Sequence, residues 1–593
     1  MIIPMKKYSF LVHHQDYQDF LDELQELGVI DIIERDVEFD DEMRDKIFLV
    51  KQVQDKIKFL EKRKIESEPS KDNKWEGIDL LENINKLELE LEQLQLQLNA
   101  LKKELLNVRP WGDYSKDTIL KLKDAGLNIN FFVCTEKKFN DEWNEKYNIE
   151  IINTLQSAKY FVVINQDDEK IDIDAEELNI PERSLSEVVA DQKKTEERIQ
   201  NINSTYDEYA KKYHDVLEST LNKLESETDL KKAIIHTKKE AEGKLMILEG
   251  WVPDPKEENV KKFADDKGIV YLTAEPDNDD KPPVLLKNNK FAELFEPIGG
   301  LFSLPDYKEI DLTPFFAPFF MMFFGFCLGD AGYGILFVIA GTLLKFKLDK
   351  KFRPVLSLLQ WLGIGTIIFG ILTGTFFGIN LLEIENLGKL RNIMLNNDQV
   401  FMLALIIGLI QILVGVIIRA INQIKQNGFV YGLSSIGWLI LILGILDMAI
   451  LEIGGFIGDI LVYAGLFLIV FFSDPKASIL GRIGKGIWDL YGITGIFGDV
   501  LSYIRLFALG VSSAILGFVI NDIAMQIMGS NPIIGPIFSV IFLILGHSMN
   551  IAIASLGSFV HPMRLTFVEF YKNAGFSGGG KKYKPFSNKF KTT

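Results

Sequence analysis

The residues best suited to chemistry are two arginines inside apolar runs. Arg505 lies within GDVLSYIRLFALGVSSAILGFVI, Gly498–Ile520, and Arg564 lies near the end of the next run. An arginine at mid-bilayer depth costs roughly 2.5–3.5 kcal/mol on insertion scales. At helical spacing Arg505 shares a face with Ser502, Ala508 and Ser512. Arg564 closes a stripe of His547, Asn550, Ala554, Gly557 and His561, spaced three and four apart, with Glu569 just beyond. Small residues let another surface approach closely. A carboxylate stranded in lipid has to be protonated or ion-bound, and a guanidinium beside it favours the ionised form and releases the proton or cation. Because the guanidinium keeps its charge at physiological pH, the cycle can repeat. The polar faces on either side would then form separate water paths to the two compartments. The plainer alternative pairs the arginines with Asp447, Asp459 or Asp499 and only locks helices together, or lets Arg564 snorkel to the interface.

The rest of the chain must position these residues. Its 593 residues exceed one compact core, and its 25% charged and 47% hydrophobic residues are unevenly distributed. Residues 1–310 are rich in Glu, Asp and Lys, whereas residues 311–593 hold long apolar runs. A soluble half thus precedes a membrane half. The N-terminal stretch has no apolar core of signal-peptide length, so the soluble half is expected in the cytoplasm. Two well-separated cysteines suggest neither disulfides nor a zinc site. The net charge of −17 argues against nucleic acid as a partner.

In the soluble half, Leu80, Ile84, Leu87, Leu91, Leu94, Leu98, Leu101, Leu105 and Val108 form a heptad seam that ends at Pro110. A second seam runs through Ile199, Ile202, Tyr206, Tyr209, Tyr213 and Val216. The expected arrangement is an antiparallel coiled-coil hairpin, with arms at about 41–108 and 182–240. A distal α/β lobe at about 109–181 would hold strands in NINFFVCTE and AKYFVVIN, separated by helical stretches. A proximal lobe would combine about 1–40 with 241–300. Homodimerisation through the seams is the competing reading.

Apolar segments occur near 314–346, 355–382, 400–418, 429–451, 456–472, 487–528 and 533–570. The first is roughly 50 Å long if helical throughout, and CLGDAGYGIL invites a break there. The last is about 57 Å long by the same measure and must tilt or protrude. Basic residues gather in alternate loops, at Lys345–Arg353, Arg419 and Lys425, Lys476–Lys485 and the tail from Lys581 to Lys591, while Lys389 and Arg391 stand in another. The positive-inside rule then places both termini in the cytoplasm, and an even count of eight transmembrane helices follows from the break. The fold class expected is an α+β cytoplasmic region followed by an all-α polytopic membrane domain.

At this point the motifs match a family. GWVP at Gly250–Pro253, PPVLLKNN, LPDYKEIDLTPF, FGFCLGDAGYG, SYIRLFALG and HPMRLTFVEFY occur in this order, and the chain resembles subunit I (subunit a) of archaeal/vacuolar-type rotary ATPases along its whole length. The resemblance implies a stator subunit that couples H⁺ or Na⁺ translocation to ATP hydrolysis or synthesis. Arg505 would face the ion-binding carboxylate of a rotor ring of c/K-type subunits, and Arg564 would assist from the neighbouring helix. Ser502, Ser512, His561 and Glu569 would line the ion path. The soluble half would anchor E/G-type peripheral stalks and contact a d/C-type central-stalk cap. No catalytic residue, cofactor or metal is implied in the chain itself. Vacuolar members carry histidine where Ser513 stands and glutamate where Ala554 stands, so their half-channel residues do not transfer. The chain length suggests a prokaryotic source and hence the cell membrane. GFSGGGKK, Gly575–Lys582, mimics a phosphate loop but has Lys582 where a hydroxyl residue is needed and no preceding strand; it reads as a flexible basic tail. A secondary transporter would show repeated interrupted helices, and only one interruption is visible. A coiled-coil scaffold would leave both arginines without a role.

Overall fold

The computed structural model describes residues 1–35, 37–63, 75–155, 157–166, 171–179, 183–277, 279–381, 394–448, 455–530 and 532–588. Lys389, Arg391, Lys589 and Lys591, which entered the charge pattern, lie outside these residues. The chain divides into two compact units, one of Met1–His14, Val29–Ile33 and Lys238–Pro585, the other of Gln15–Gly28, Glu34–Thr237 and Phe586–Thr593.

In the second unit the helices Asp41–Glu61, Gly77–Val108, Leu185–Lys212 and His214–Ile235 carry the heptad leucines. Leu80, Leu81 and Ile84 pack on Ile202, Tyr206 and Tyr209, while Leu101 and Val108 meet Val188, so the two seams run in opposite directions. Leu91, Leu94 and Leu98 midway are only half-buried. The returning seam breaks at Tyr213, where the backbone leaves helical geometry. A four-stranded antiparallel sheet fills the turn, with Asn148–Leu155 beside Ala158–Gln166, then Leu127–Thr135, then Glu176–Leu178. Asn148–Leu155 is a correction, since only helical stretches were expected between the other two strands. Its side chains are mostly exposed, so it forms an edge strand with little apolar alternation to reveal it.

The first unit opens on an antiparallel sheet in which Met5–His13 pairs with Leu245–Pro253 and with Val270–Ala274. Beyond it come the apolar helices. By length and composition, five are able to cross a membrane among the described residues: Lys350–Thr373, Asn397–Asn427, Phe429–Leu446, Ile479–Ser530 and Ile534–Ala574. Thr313–Leu328 and Phe456–Phe472 are shorter and equally apolar. The break in the first apolar segment falls at Gly329, whose φ of 55° favours glycine, and at Asp330, which caps the helix Ala331–Lys347.

The basic tail is a second correction. It is held, not flexible: Ser577 N–H and Gly578 N–H donate to the Glu309 carboxylate (2.7 and 3.3 Å). Val284 N–H donates to Lys581 O (2.7 Å), Lys584 N–H donates to Asp31 Oδ2 (2.7 Å), and Tyr583 Oη donates to Val29 O. The glycines therefore wrap a carboxylate of the same chain.

Candidate functional site

The segment around Arg505 is not one helix. Ile479–Leu490, Ile493–Ser502 and Ile504–Ser530 follow one another, and the last break is a single residue, Tyr503. Tyr503 is fully buried; its ring meets Phe323 and its hydroxyl donates to Gln411 Oε1 (2.7 Å). That anchor fixes Arg505 at the second position of the helix Ile504–Ser530. Close approach helps hold this helix, because a Cβ on Gly510 would stand 2.7 Å from Phe326 O.

The facing helix, Ile534–Arg564, continues into a π-helical turn, Leu565–Phe570, and ends at Tyr571–Ala574. Pro562 lies inside it, just before the π turn, and such turns recur at functional sites. The turn brings Glu569, only 2% exposed, under the same surface as Arg505 and His561. The charges of Arg505 and Arg564 both act on His561 and on Glu569. Ser502 donates to Gly498 O (3.0 Å) and lies against the Glu569 carboxylate. The structure thus brings together Arg505, Arg564, His561, Glu569 and Ser502. Ser512 faces outward and does not join them.

Within this cluster the polar atoms are short of partners. Arg505 Nη1, Ser558 Oγ, His561 Nδ1, Thr566 Oγ1 and Glu569 Oε2 are buried and without a hydrogen bond. Neither arginine has a carboxylate within 4.0 Å among the described residues. Asp499, one of the candidate partners, is taken instead by Lys572 Nζ (3.0 and 3.1 Å) and Asn573 Nδ2 (2.8 Å). Buried polar atoms are normally hydrogen-bonded, so this concentration of unpaired ones sets the cluster apart.

Farther along the same two helices lies a second polar group that the sequence only half revealed. Asn550 Nδ2 donates to Tyr333 Oη (3.0 Å) and to Ser513 O (3.3 Å). Tyr333 Oη bonds His547 Nδ1 (2.7 Å), His547 Nε2 bonds Asn521 Oδ1 (3.0 Å), and Asn521 Nδ2 donates to Phe377 O (2.8 Å). Since Asn521 accepts through its oxygen, the neutral imidazole carries its proton on Nε2 and receives the tyrosine hydroxyl at Nδ1. Asp330 sits behind this chain and accepts from Gly332, Tyr333, Phe377 and Gly378 N–H (2.8, 3.2, 2.8 and 2.8 Å). His547 and Asn550 were visible in the spacing of the stripe. Tyr333, Asn521 and the Phe377 turn carried no signal, because they come from three separate segments.

A model of the V-type ATPase 116kDa subunit family matches residues 170–354. The chain is 25% identical to V-type ATP synthase subunit I of Borreliella burgdorferi over 99% of each chain. It is 24% identical to V-type ATP synthase subunit I of Chlamydia pneumoniae, over 99% of this chain and 96% of that one. It is 34% identical to A-type ATP synthase subunit I of Pyrococcus horikoshii, over 58% of this chain and 54% of that one. The resemblance read from the motifs is borne out, from bacterial relatives across the whole chain and an archaeal one across part of it.

Proposed function

We propose that this chain works as subunit I of a V/A-type rotary ATPase: a static membrane subunit that carries H⁺ or Na⁺ past Arg505 to and from a ring of rotor subunits. One observation carries the reading: a half-buried guanidinium whose buried Nη1 has no hydrogen-bond partner and which has no carboxylate within 4.0 Å among the described residues. A rotor carboxylate arriving beside Arg505 would lose its proton or cation, because the fixed positive charge favours the ionised form. Arg564, His561, Glu569 and Ser502 would line the path on one side, and Ser512, on the outward face, would meet the rotor. The chain would couple this ion flow to ATP hydrolysis or synthesis, while the ATP chemistry itself would belong to partner subunits.

The soluble half would anchor peripheral stalks through its arms and would contact the central-stalk cap. Eight spans, with both termini in the cytoplasm of a prokaryotic cell, fit the basic loops. The domain scheme would follow: a cytoplasmic stator region to about residue 310 and a membrane region beyond it.

The test is affinity purification of the tagged full-length chain from its own membranes. Small ring-forming subunits and soluble ATPase subunits are expected to accompany it. A chain that purifies without either would contradict the reading.

A further inference from the structure

We infer that the chain holds one anionic glycerophospholipid in a basic cavity between residues 284–304, the start of the apolar helix Arg353–Thr373 and the C-terminal tail. The cavity has a volume of about 1040 Å³ and its walls come from Val284–Leu304, Lys350–Trp361 and the tail at Lys582–Tyr583. Lys290, Lys350, Arg353 and Lys582 line it, and none of the four has a carboxylate within 4.0 Å among the described residues. The opposing charges are Glu293 and Glu296. Glu296 is occupied by Asn288 Nδ2 (2.9 Å), and burial pushes its carboxyl above the usual range. The cavity therefore presents an excess of unpaired cations, which suits a phosphodiester better than a headgroup bearing an amine.

The position selects a lipid over a soluble anion. Arg353 begins the apolar helix Arg353–Thr373, so the cations stand where a cytoplasmic headgroup layer would lie. Trp361 lines the cavity and starts an exposed apolar stripe that continues through Ile364, Ile368 and Ile371 at helical spacing. A headgroup in the cavity would lay its acyl chains along that stripe, with the indole at the level where tryptophan is favoured. The volume is ample for a phosphate, its headgroup and the glycerol backbone.

Native mass spectrometry of the full-length chain in neutral detergent tests this, with equal amounts of phosphatidylglycerol and phosphatidylcholine added. Retention of phosphatidylglycerol over phosphatidylcholine by at least about tenfold is expected, since each basic group near the headgroup contributes up to roughly a factor of five. Lys350→Gln with Arg353→Gln should lower that preference at least about fivefold. Lys582→Gln, on the opposite wall, should lower it independently if the double variant folds poorly. Lys351→Gln, beside the cavity and outside its lining, should leave it unchanged. Equal loss with Lys351→Gln, or no preference in the parent chain, would overturn the site. Displacement of the lipid by inorganic phosphate at matched concentration would overturn the lipid as occupant and assign the cavity to a soluble anion.

Discussion

Two polar clusters share the last two long helices, and they are built to opposite rules. Around Tyr333, His547, Asn550 and Asn521 the groups form a one-way chain of hydrogen bonds, closed by Asp330 with four backbone N–H donors. Around Arg505, His561 and Glu569 the buried atoms lack partners. Buried polar groups are normally satisfied, and exceptions need a reason. The first cluster has its partners within the chain and therefore holds helices and the Phe377 turn in place. The second lacks them, which is what the proposed encounter with an outside group would require. Polarity inside a membrane does not by itself mark function; incomplete polarity is the sharper sign.

Substitutions separate the two rules. The largest loss of stability is expected for Asp330→Ala, which strands three buried donors and one part-buried donor; at about 1 kcal/mol or more for each buried one, the assembled chain should fall sharply in yield and in thermal midpoint. Asn550→Leu comes next, leaving the Tyr333 hydroxyl and Ser513 carbonyl short of a donor, at about 1–3 kcal/mol. Glu569→Gln belongs to the other cluster and should change the thermal midpoint little while slowing ion uptake per assembled complex. A loss of folding with Glu569→Gln equal to that with Asp330→Ala would erase the distinction between the clusters.

The second unit supplies a comparison outside the membrane. Buried His236 accepts the Arg35 N–H at Nδ1 (3.0 Å), and desolvation lowers its pKa below the ordinary value. The unfolded chain then binds the proton more readily, so this contribution is whole above about pH 6.5 and declines as pH falls below it. Protection factors in the helices Asp41–Glu61 and His214–Ile235, with exchange corrected for its intrinsic pH dependence, should therefore fall at pH 5.5 relative to pH 7.5, and His236→Gln should blunt the difference. The smallest effect is expected at the exposed pair Arg198–Glu90, where Nε and Nη2 of the guanidinium donate to the carboxylate (2.6 and 2.9 Å). Arg198→Gln should cost under about 1 kcal/mol, read as a small shift in the urea midpoint.

How much was legible follows the range of the forces involved. The arm seams, the distal strands in NINFFVCTE and AKYFVVIN and the Gly329–Asp330 break were readable because each is set by spacing or by a residue's own backbone preference. Arg505, Arg564, His561 and Glu569 were readable because charge inside an apolar run is conspicuous. The break at Tyr503 was not, since SYIRLFALG is locally a good helix and the break rests on Gln411, ninety-two positions away. The tail was misread for the same reason: its glycines are locally flexible, and the carboxylate that holds them is Glu309, 268 positions away from Ser577. Tyr333 and Asn521 were hidden because a hydrogen-bond chain across three segments leaves no periodic trace.

The central proposal is that Arg505, with its buried and unbonded Nη1, awaits a rotor carboxylate. Arg505→Lys tests it most directly, by ATP-driven ion uptake into vesicles with assembled complex quantified in parallel. Lysine keeps the charge but replaces a planar, always-charged fork with a compact ammonium that loses its proton more readily when buried. The account predicts normal assembly with uptake abolished or nearly so. Near-normal uptake at normal assembly would reduce Arg505 to a structural charge and contradict it.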